Sequence, residues 1–508
     1  MDDFVILMGI IMPTIRKTKT GSGATAIQVV RYENRRVVVM KHVGSARTED
    51  EIAALVESGI TWMKQESGQQ TLFPEEPRRT LALATTRYVG VSHNFAYRIF
   101  SLLGEKLGFT AIQAPMLLDF AYMRIIEPCS KLRTIELLKR YFDIRYGENA
   151  VYRTLPTFAK LKREVETIAV RWAKNGLASD LSLVLYDVTT LYFETFKTDD
   201  IRVTGFSKDN KSQQPQIVVG LLVTREGFPL GYEVFKGNTF EGKTMLPVLE
   251  AFGKAHGVTT PTVVADAAMI SRGNVKKLIE GGFSYIVGAR LANCSPAVIS
   301  SIANTLTGED GATMRIATLH GDLIAAFSAK RYRKDKSEMA KQIAKAQALI
   351  AKNESGKRAK FVKKSNDLTP ILDEALQAKA TSLLGIKGYY TNIPKDTMDN
   401  SNVIARYHDL WHVEAAFRMS KSDLATRPIF HYKEDAIKAH ILLCFVALAL
   451  GRHMELTSGL SLRKIVDLLS TVTEAHFIDT VTNEPFTLSA EIPNPVLNLI
   501  KKLGCHTK

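Results

Sequence analysis

Cysteine is scarce in this chain of 508 residues, and Cys129, Cys294, Cys444 and Cys505 are scattered with no C-x-x-C pair. That excludes a disulfide framework and fits a reducing cytoplasm. Long apolar runs are also missing. The run 441–450 is too short to span a bilayer. The earlier run 5–12 follows two aspartates rather than a basic segment, so no secretory leader is expected. No fixed-period repeat is apparent. Acids are in deficit, 52 against 67 Lys and Arg, giving a net charge of +15 and a pI near 9.4. No basic amphipathic anchor points to a membrane surface, so this balance favours a polyanionic partner such as nucleic acid.

The 45% hydrophobic share is that of an ordinary folded protein, with length for about two to four structural units. Residues 26–43 alternate as a β-hairpin closed by Gly44. A helix is expected over 49–64 and a linker over 66–79, which carries two prolines. Helical patterns follow at 94–107, 115–126, 131–142 and 151–174, with recurring basic residues that suit a DNA backbone. At Leu181 the period changes. Residues 181–186 form a continuous apolar run, the mark of a strand buried on both faces, and it ends at Asp187. Strands at 216–224 and 230–235, a helix at 244–256, a strand at 262–265 ending at Asp266, a helix at 274–280 and a strand at 285–289 describe a mixed sheet with helices packed on it.

Residues 291–398 break that rhythm. Strands are expected at 313–319, 323–329 and 389–392. Between them, the tract 330–364 carries 13 Lys and Arg against three acids, a net +10 that begins with Lys330, Arg331, Arg333 and Lys334. Helical spacing is expected over 337–352. Residues 407–421 read as a helix without Gly or Pro. On a continuous helix Tyr407, Glu414 and Lys421 would share one row, with Trp411 and Arg418 beside it. Further helices are expected over 433–455 and 461–469.

Asp187 and Asp266 each sit where a buried strand is expected to give way to a loop, the edge at which open α/β sheets bind ligands. Singly, each is as well explained as a turn former, and Glu414 with Arg418 as a surface ion pair. Together the two Asp and Glu414 supply hard oxygen ligands suited to Mg²⁺ or Mn²⁺. A pair of such ions activates an attacking oxygen and stabilises the leaving one in phosphoryl transfer.

These residues carry a family resemblance. The chain resembles the DDE transposases of bacterial insertion sequences, in the group with an insertion in an RNase H-like catalytic domain and a Tyr-x2-Arg-x3-Glu-x6-Lys signature. Tyr407, Glu414 and Lys421 stand at the signature's intervals, with Leu410 where it has Arg, and Arg418 one turn past the Glu. Residues 185–190 around Asp187 and 264–270 around Asp266 resemble the two acidic sites, with Ala268 where a Gly is expected. Gly237, Asn238, Glu241 and Thr244 resemble the segment before the first sheet-packing helix.

The resemblance implies an α/β core with an RNase H-like mixed sheet flanked by helices, interrupted by a basic insertion and preceded by a β-hairpin and a helical region. The expected spans are 1–80 (hairpin and helix), 81–180 (helical, DNA-binding), 181–290 and 399–455 (catalytic core), 291–398 (insertion) and 456–508 (C-terminal region). It implies that Asp187, Asp266 and Glu414 hold two Mg²⁺ ions, with Mn²⁺ as a substitute. Tyr407, Arg418 and Lys421 would contact phosphates, and Lys330, Arg331, Arg333 and Lys334 would bind DNA through charge. The implied reaction is cleavage at transposon ends followed by strand transfer into target DNA, by a homodimer in a synaptic complex in the bacterial cytoplasm. Some relatives cut through a hairpin with help from a Trp in the insertion. Trp62, Trp172 and Trp411 all lie outside it. The alternatives are a metal-dependent nuclease that does not join strands, or a DNA-binding regulator derived from a transposase.

Overall fold

The computed structural model describes residues 13–33, 36–66, 85–207, 211–258, 260–269, 272–306, 308–318, 321–352, 359–365 and 369–505. In chain order these give β1 (Thr14–Lys19), β2 (Thr25–Glu33), β3 (Arg36–Ala46), α1 (Glu49–Glu66), β4 (Thr86–Ser92), α2 (Asn94–Leu107), α3 (Pro115–Ile126), α4 (Lys131–Phe142), α5 (Glu148–Thr154) and α6 (Lys162–Asn175). Next come β5 (Leu183–Tyr192), β6 (Gln216–Thr224), β7 (Pro229–Lys236), α7 (Met245–His256), β8 (Thr262–Ala265), α8 (Arg272–Glu280), β9 (Tyr285–Ala289) and α9 (Pro296–Thr305). Then follow β10 (Thr313–Thr318), β11 (Gly321–Phe327), α10 (Ala329–Ala351), β12 (Val362–Lys364), β13 (Pro370–Leu372), α11 (Glu374–Ser382), β14 (Ile386–Thr391), α12 (Asn400–His408) and α13 (Trp411–Arg418). The chain closes with α14 (Glu434–Ser458), α15 (Leu462–Leu469), β15 (Glu474–Asp479), β16 (Pro485–Ser489) and α16 (Asn494–Leu503).

The chain divides into two compact units. The first comprises Met1–Tyr97, Arg140–Asp143 and Leu468–Leu497. It holds two antiparallel sheets, β1-β2-β3 and β16-β15-β4. The hairpin expected at 26–43 is β2 and β3, which run on to Ala46 and gain a third strand, β1. Leu55 of α1 seals them against Ile27 and Ala46. Apart from Glu66, which ends α1, the linker expected over 66–79 lies outside the described residues. Strands β15 and β16 are additions to a tail in which only one helix was expected.

The second unit comprises Arg98–Lys139, Ile144–Asp467 and Asn498–Lys508. Its centre is an eight-stranded mixed sheet in the order β10-β11-β14-β9-β8-β5-β6-β7. Strands β5, β6 and β7 form an antiparallel meander, and β8 and β9 run parallel to β5. Every residue of β6 is buried, as its unbroken apolar run requires. Helices α6, α7 and α14 pack on β7, α13 packs on β5 and β6, and α12 packs on β8, β9 and β14. Helix α14 is buried from Ala439 to Met454, mostly through apolar side chains, and it stops where Gly459 turns to φ 75°. No helix among the described residues is long and apolar enough to cross a membrane.

The structure departs from the sequence reading in several places. β5 continues five residues past Asp187, because Val188, Thr189, Thr190 and Leu191 are buried in the sheet. The helix expected at 151–174 is interrupted by a 3₁₀ stretch, Leu155–Leu161, which opens around Pro156 and separates α5 from α6. α10 starts at Ala329, capped by Ser328, and so takes in the whole basic start of the tract. Residues 291–398 do not stand apart: β10, β11 and β14 extend the central sheet beyond β9.

Candidate active site

Asp187 and Asp266 are brought together by strand register. β5 and β8 are parallel neighbours, and Tyr186 pairs with Ala265. The next residue on each chain is therefore one of the two aspartates. Asp187 is half-buried within β5, while Asp266 is exposed one residue beyond β8. Asp266 Oδ1 accepts from the backbone N–H of Ala267 at 2.7 Å and from the Tyr407 hydroxyl at 3.2 Å. Gly288 on β9 makes room for this contact, since a Cβ there would lie 2.6 Å from the Tyr407 oxygen.

Tyr407 comes from α12, whose start is capped by Asp399 accepting from the Asn402 N–H at 2.7 Å. α12 and α13 are not one helix. The chain breaks at Asp409–Leu410, where Asp409 is held by Arg225 at 2.9 Å and Arg406 at 3.0 Å. Lys421 then falls in a π-helical turn, Met419–Asp423. The single row expected for Tyr407, Glu414 and Lys421 is thus interrupted twice. Tyr407 is buried at 7% exposure, whereas Glu414 is exposed. Val413, Ala416 and Phe417 turn α13's other face into the core. Leu410 is buried as well, so the position where the signature carries Arg is a packing position here.

Glu414 and Arg418 form no ion pair among the described residues. Arg418 instead acts on Asp423, opposing the rise that burial and Glu455 cause in its carboxyl. The cation on which Asp266 and Glu414 both act electrostatically is Lys387, on β14, which sequence reasoning missed. Its Nζ lies 4.5 Å from the Tyr407 ring centre and 5.6 Å from that of Tyr389. Burial holds Lys387 below the ordinary lysine range and Arg331 adds to this, while Asp266 and Glu414 oppose both. Burial, followed by the charge of Asp266, pushes the Tyr407 hydroxyl well above its ordinary value, which keeps it a proton donor. The available signal was a lone charged residue in a strand otherwise built of Ile386, Gly388, Tyr389, Tyr390 and Thr391.

Arg331, in the first turn of α10, acts electrostatically on Lys387 and Tyr389. Lys330, Arg333 and Lys334 are exposed on the same helix. The three carboxylates offer only oxygen donors, a chemistry that fits Mg²⁺ or Mn²⁺. Among the described residues they are not drawn into a closed cluster: no group of three or more His, Cys, Asp or Glu is near enough to hold a metal ion.

Residues 178–450, more than half of the chain, match the family described as Transposase DDE domain. The chain belongs to that family. The matched span of this transposase domain holds all three carboxylates together with Lys387 and Tyr407. Among solved structures the chain is similar to a piggyBac transposase synaptic complex with hairpin DNA, at TM-score 0.35 and 10% identity, covering 74% of this chain and 70% of that one. It is also similar to a Mos1 transposase paired-end complex with left transposon end, at TM-score 0.15 and 14% identity, covering 46% of this chain and 66% of that one. Comparison with curated proteins gave no match.

Proposed function

We propose that this transposase cleaves DNA at transposon ends and joins the freed strand to target DNA, with Asp187, Asp266 and Glu414 as its metal-binding carboxylates. The observation that carries the reading is the neighbouring register of Asp187 and Asp266, with the Tyr407 hydroxyl donating to Asp266, inside the family-matched span. The strand order supports an RNase H-like core: a meander β5-β6-β7 with β8 and β9 added in parallel on the other side of β5.

Two Mg²⁺ ions, when bound, would supply activation of the attacking oxygen and neutralisation of the leaving one. The chain's own residues do the rest. Tyr407 fixes the orientation of Asp266 through its hydroxyl. Lys387, on which both carboxylates act, adds positive charge for an incoming phosphate. Arg418 and Lys421 extend this charge along the strand. Lys330, Arg331, Arg333 and Lys334 crowd the N-terminal turns of α10, where the helix dipole also attracts anions, so a phosphate backbone there meets two favourable fields. We place the DNA-contacting helices at 81–180 and the synaptic partner in a second copy of the chain.

The test uses a labelled transposon end with Mg²⁺. The wild-type chain should cut and join it, and Asp187→Asn, Asp266→Asn or Glu414→Gln should each lower the rate at least ~100-fold with DNA binding retained, which is about 2.7 kcal/mol of barrier. Cleavage without joining would identify a nuclease. Binding without either reaction, unchanged by Asp187→Asn, would identify a regulator and overturn the proposal.

A further inference from the structure

A second cationic site lies in the second unit, away from the three carboxylates. A cavity of about 290 Å³ is lined by Arg124 of α3, Lys131 at the start of α4, His440 of α14, and Arg427 and His431 from the segment before α14. No Asp or Glu lines it. Arg124 and Lys131 are only 7% and 6% exposed, and neither forms an ion pair among the described residues.

The hydrogen bonds of this cluster leave donors over. His440 Nε2 lies 2.9 Å from the Thr426 carbonyl oxygen and therefore carries the proton. Its Nδ1 is then the acceptor for Lys131 Nζ at 3.1 Å. An ammonium has three N–H donors, and one is used on His440. The guanidinium of Arg124, which lines the cavity, makes no hydrogen bond among the described residues, so its donors are unspent. Buried cations without partners are costly, and native proteins keep them where something arrives to meet them. Burial and mutual repulsion lower Lys131 to about 7 and His431 to about 4, which is the signature of bases gathered without an anion.

We propose that this cavity binds a phosphate group, carried by a nucleic-acid strand that passes over it. Tetrahedral oxyanions accept from guanidinium and ammonium groups on several sides at once. Two features favour a nucleotide-borne phosphate over free phosphate. Phe430, which lines the cavity, is 65% exposed and Tyr152 is 44% exposed, so aromatic faces are open for bases to stack on. Ile429 bridges to Phe193, six residues past Asp187 and so roughly 20 Å along an extended strand, which makes the cavity a separate station on the same DNA. The nucleotide half of this proposal rests on the DNA reading above; the anion half does not.

The experiment is calorimetric titration and thermal unfolding of the full chain with inorganic phosphate and, separately, with a short single-stranded oligonucleotide. Phosphate should bind the wild type and raise its melting temperature. Lys131→Met should weaken phosphate at least tenfold and, without ligand, melt no lower than wild type, because it removes a buried charge. A lysine kept only for structure would do the reverse; a lower melting temperature with unchanged phosphate affinity overturns the proposal. If Lys131→Met does not fold, Arg427→Gln at the segment before α14 is read for the same tenfold loss, and unchanged affinity overturns it equally. Displacement of phosphate by the oligonucleotide supports the nucleic-acid source. Phosphate binding that the oligonucleotide leaves untouched overturns that half and leaves a site for free phosphate. Mg²⁺-dependent cleavage is measured alongside: its absence with phosphate binding intact defeats the transposase reading, not the cavity.

Discussion

The contact between Tyr407 and Asp266 depends on a missing side chain. Gly288 leaves the space in which the tyrosine hydroxyl meets the carboxylate, and an added Cβ would press on the oxygen at 2.6 Å. The hydroxyl is the far end of a side chain and can swing away, so Gly288→Ala should cost little stability, about 1 kcal/mol. It should still lower strand cleavage several-fold, as Tyr407→Phe should. Equal cleavage rates in wild type, Gly288→Ala and Tyr407→Phe would show that the contact does not matter. Lys387 could not be singled out among 67 basic residues, because its meaning comes from strand β14 lying near residues that are distant in sequence.

Among the elements, those with one dominant physical cause were legible. β6, β8 and β9 begin and end where their apolar runs do, because both faces are buried and every residue reports it. β5 was cut short because Asp187, Thr189 and Thr190 look like a loop, yet both threonines are 4% exposed inside the sheet. β15 and β16 lie half in solvent along their length, which erases the alternation that marks a strand. The break between α12 and α13 has no Gly or Pro to announce it, being held by Asp409 through Arg225, which lies 184 positions away. Asp409→Ala should therefore loosen the junction that aims Glu414. We expect a stability loss of about 1 kcal/mol in denaturant titration, since the pair is partly exposed, and a larger proportional loss of cleavage. A fall in activity no larger than the stability loss explains would refute the link.

For the whole molecule, two histidines withdrawn from solvent, one half-buried and one buried, set a pH limit. His431 and His453 are each lowered from 6.5 to about 4, chiefly by burial, with Lys131 and Arg124 acting on the first and Lys106 on the second. The folded state thus resists protonation that the unfolded chain accepts. Below pH 6.5 the unfolded state binds more protons, so stability should fall as pH drops from 6.5 towards 4 and be fully present above that range. Each histidine contributes at most about 1.4 kcal/mol per pH unit. His453→Asn should flatten the dependence in thermal unfolding across this range; an unchanged slope would place the acid sensitivity elsewhere.

The basic segment between β9 and α12 supplies β14, and through it β11 and β10, to the central sheet. It is therefore no detachable cassette. A shortened chain that skipped from β9 to α12 would lose more than charge: it would leave the backbone of β9 as a raw, unpaired border open to any passing strand. Such borders recruit other chains. Any lineage or engineer trimming this transposase for size would meet insolubility there, on top of the loss of Lys387 from the site.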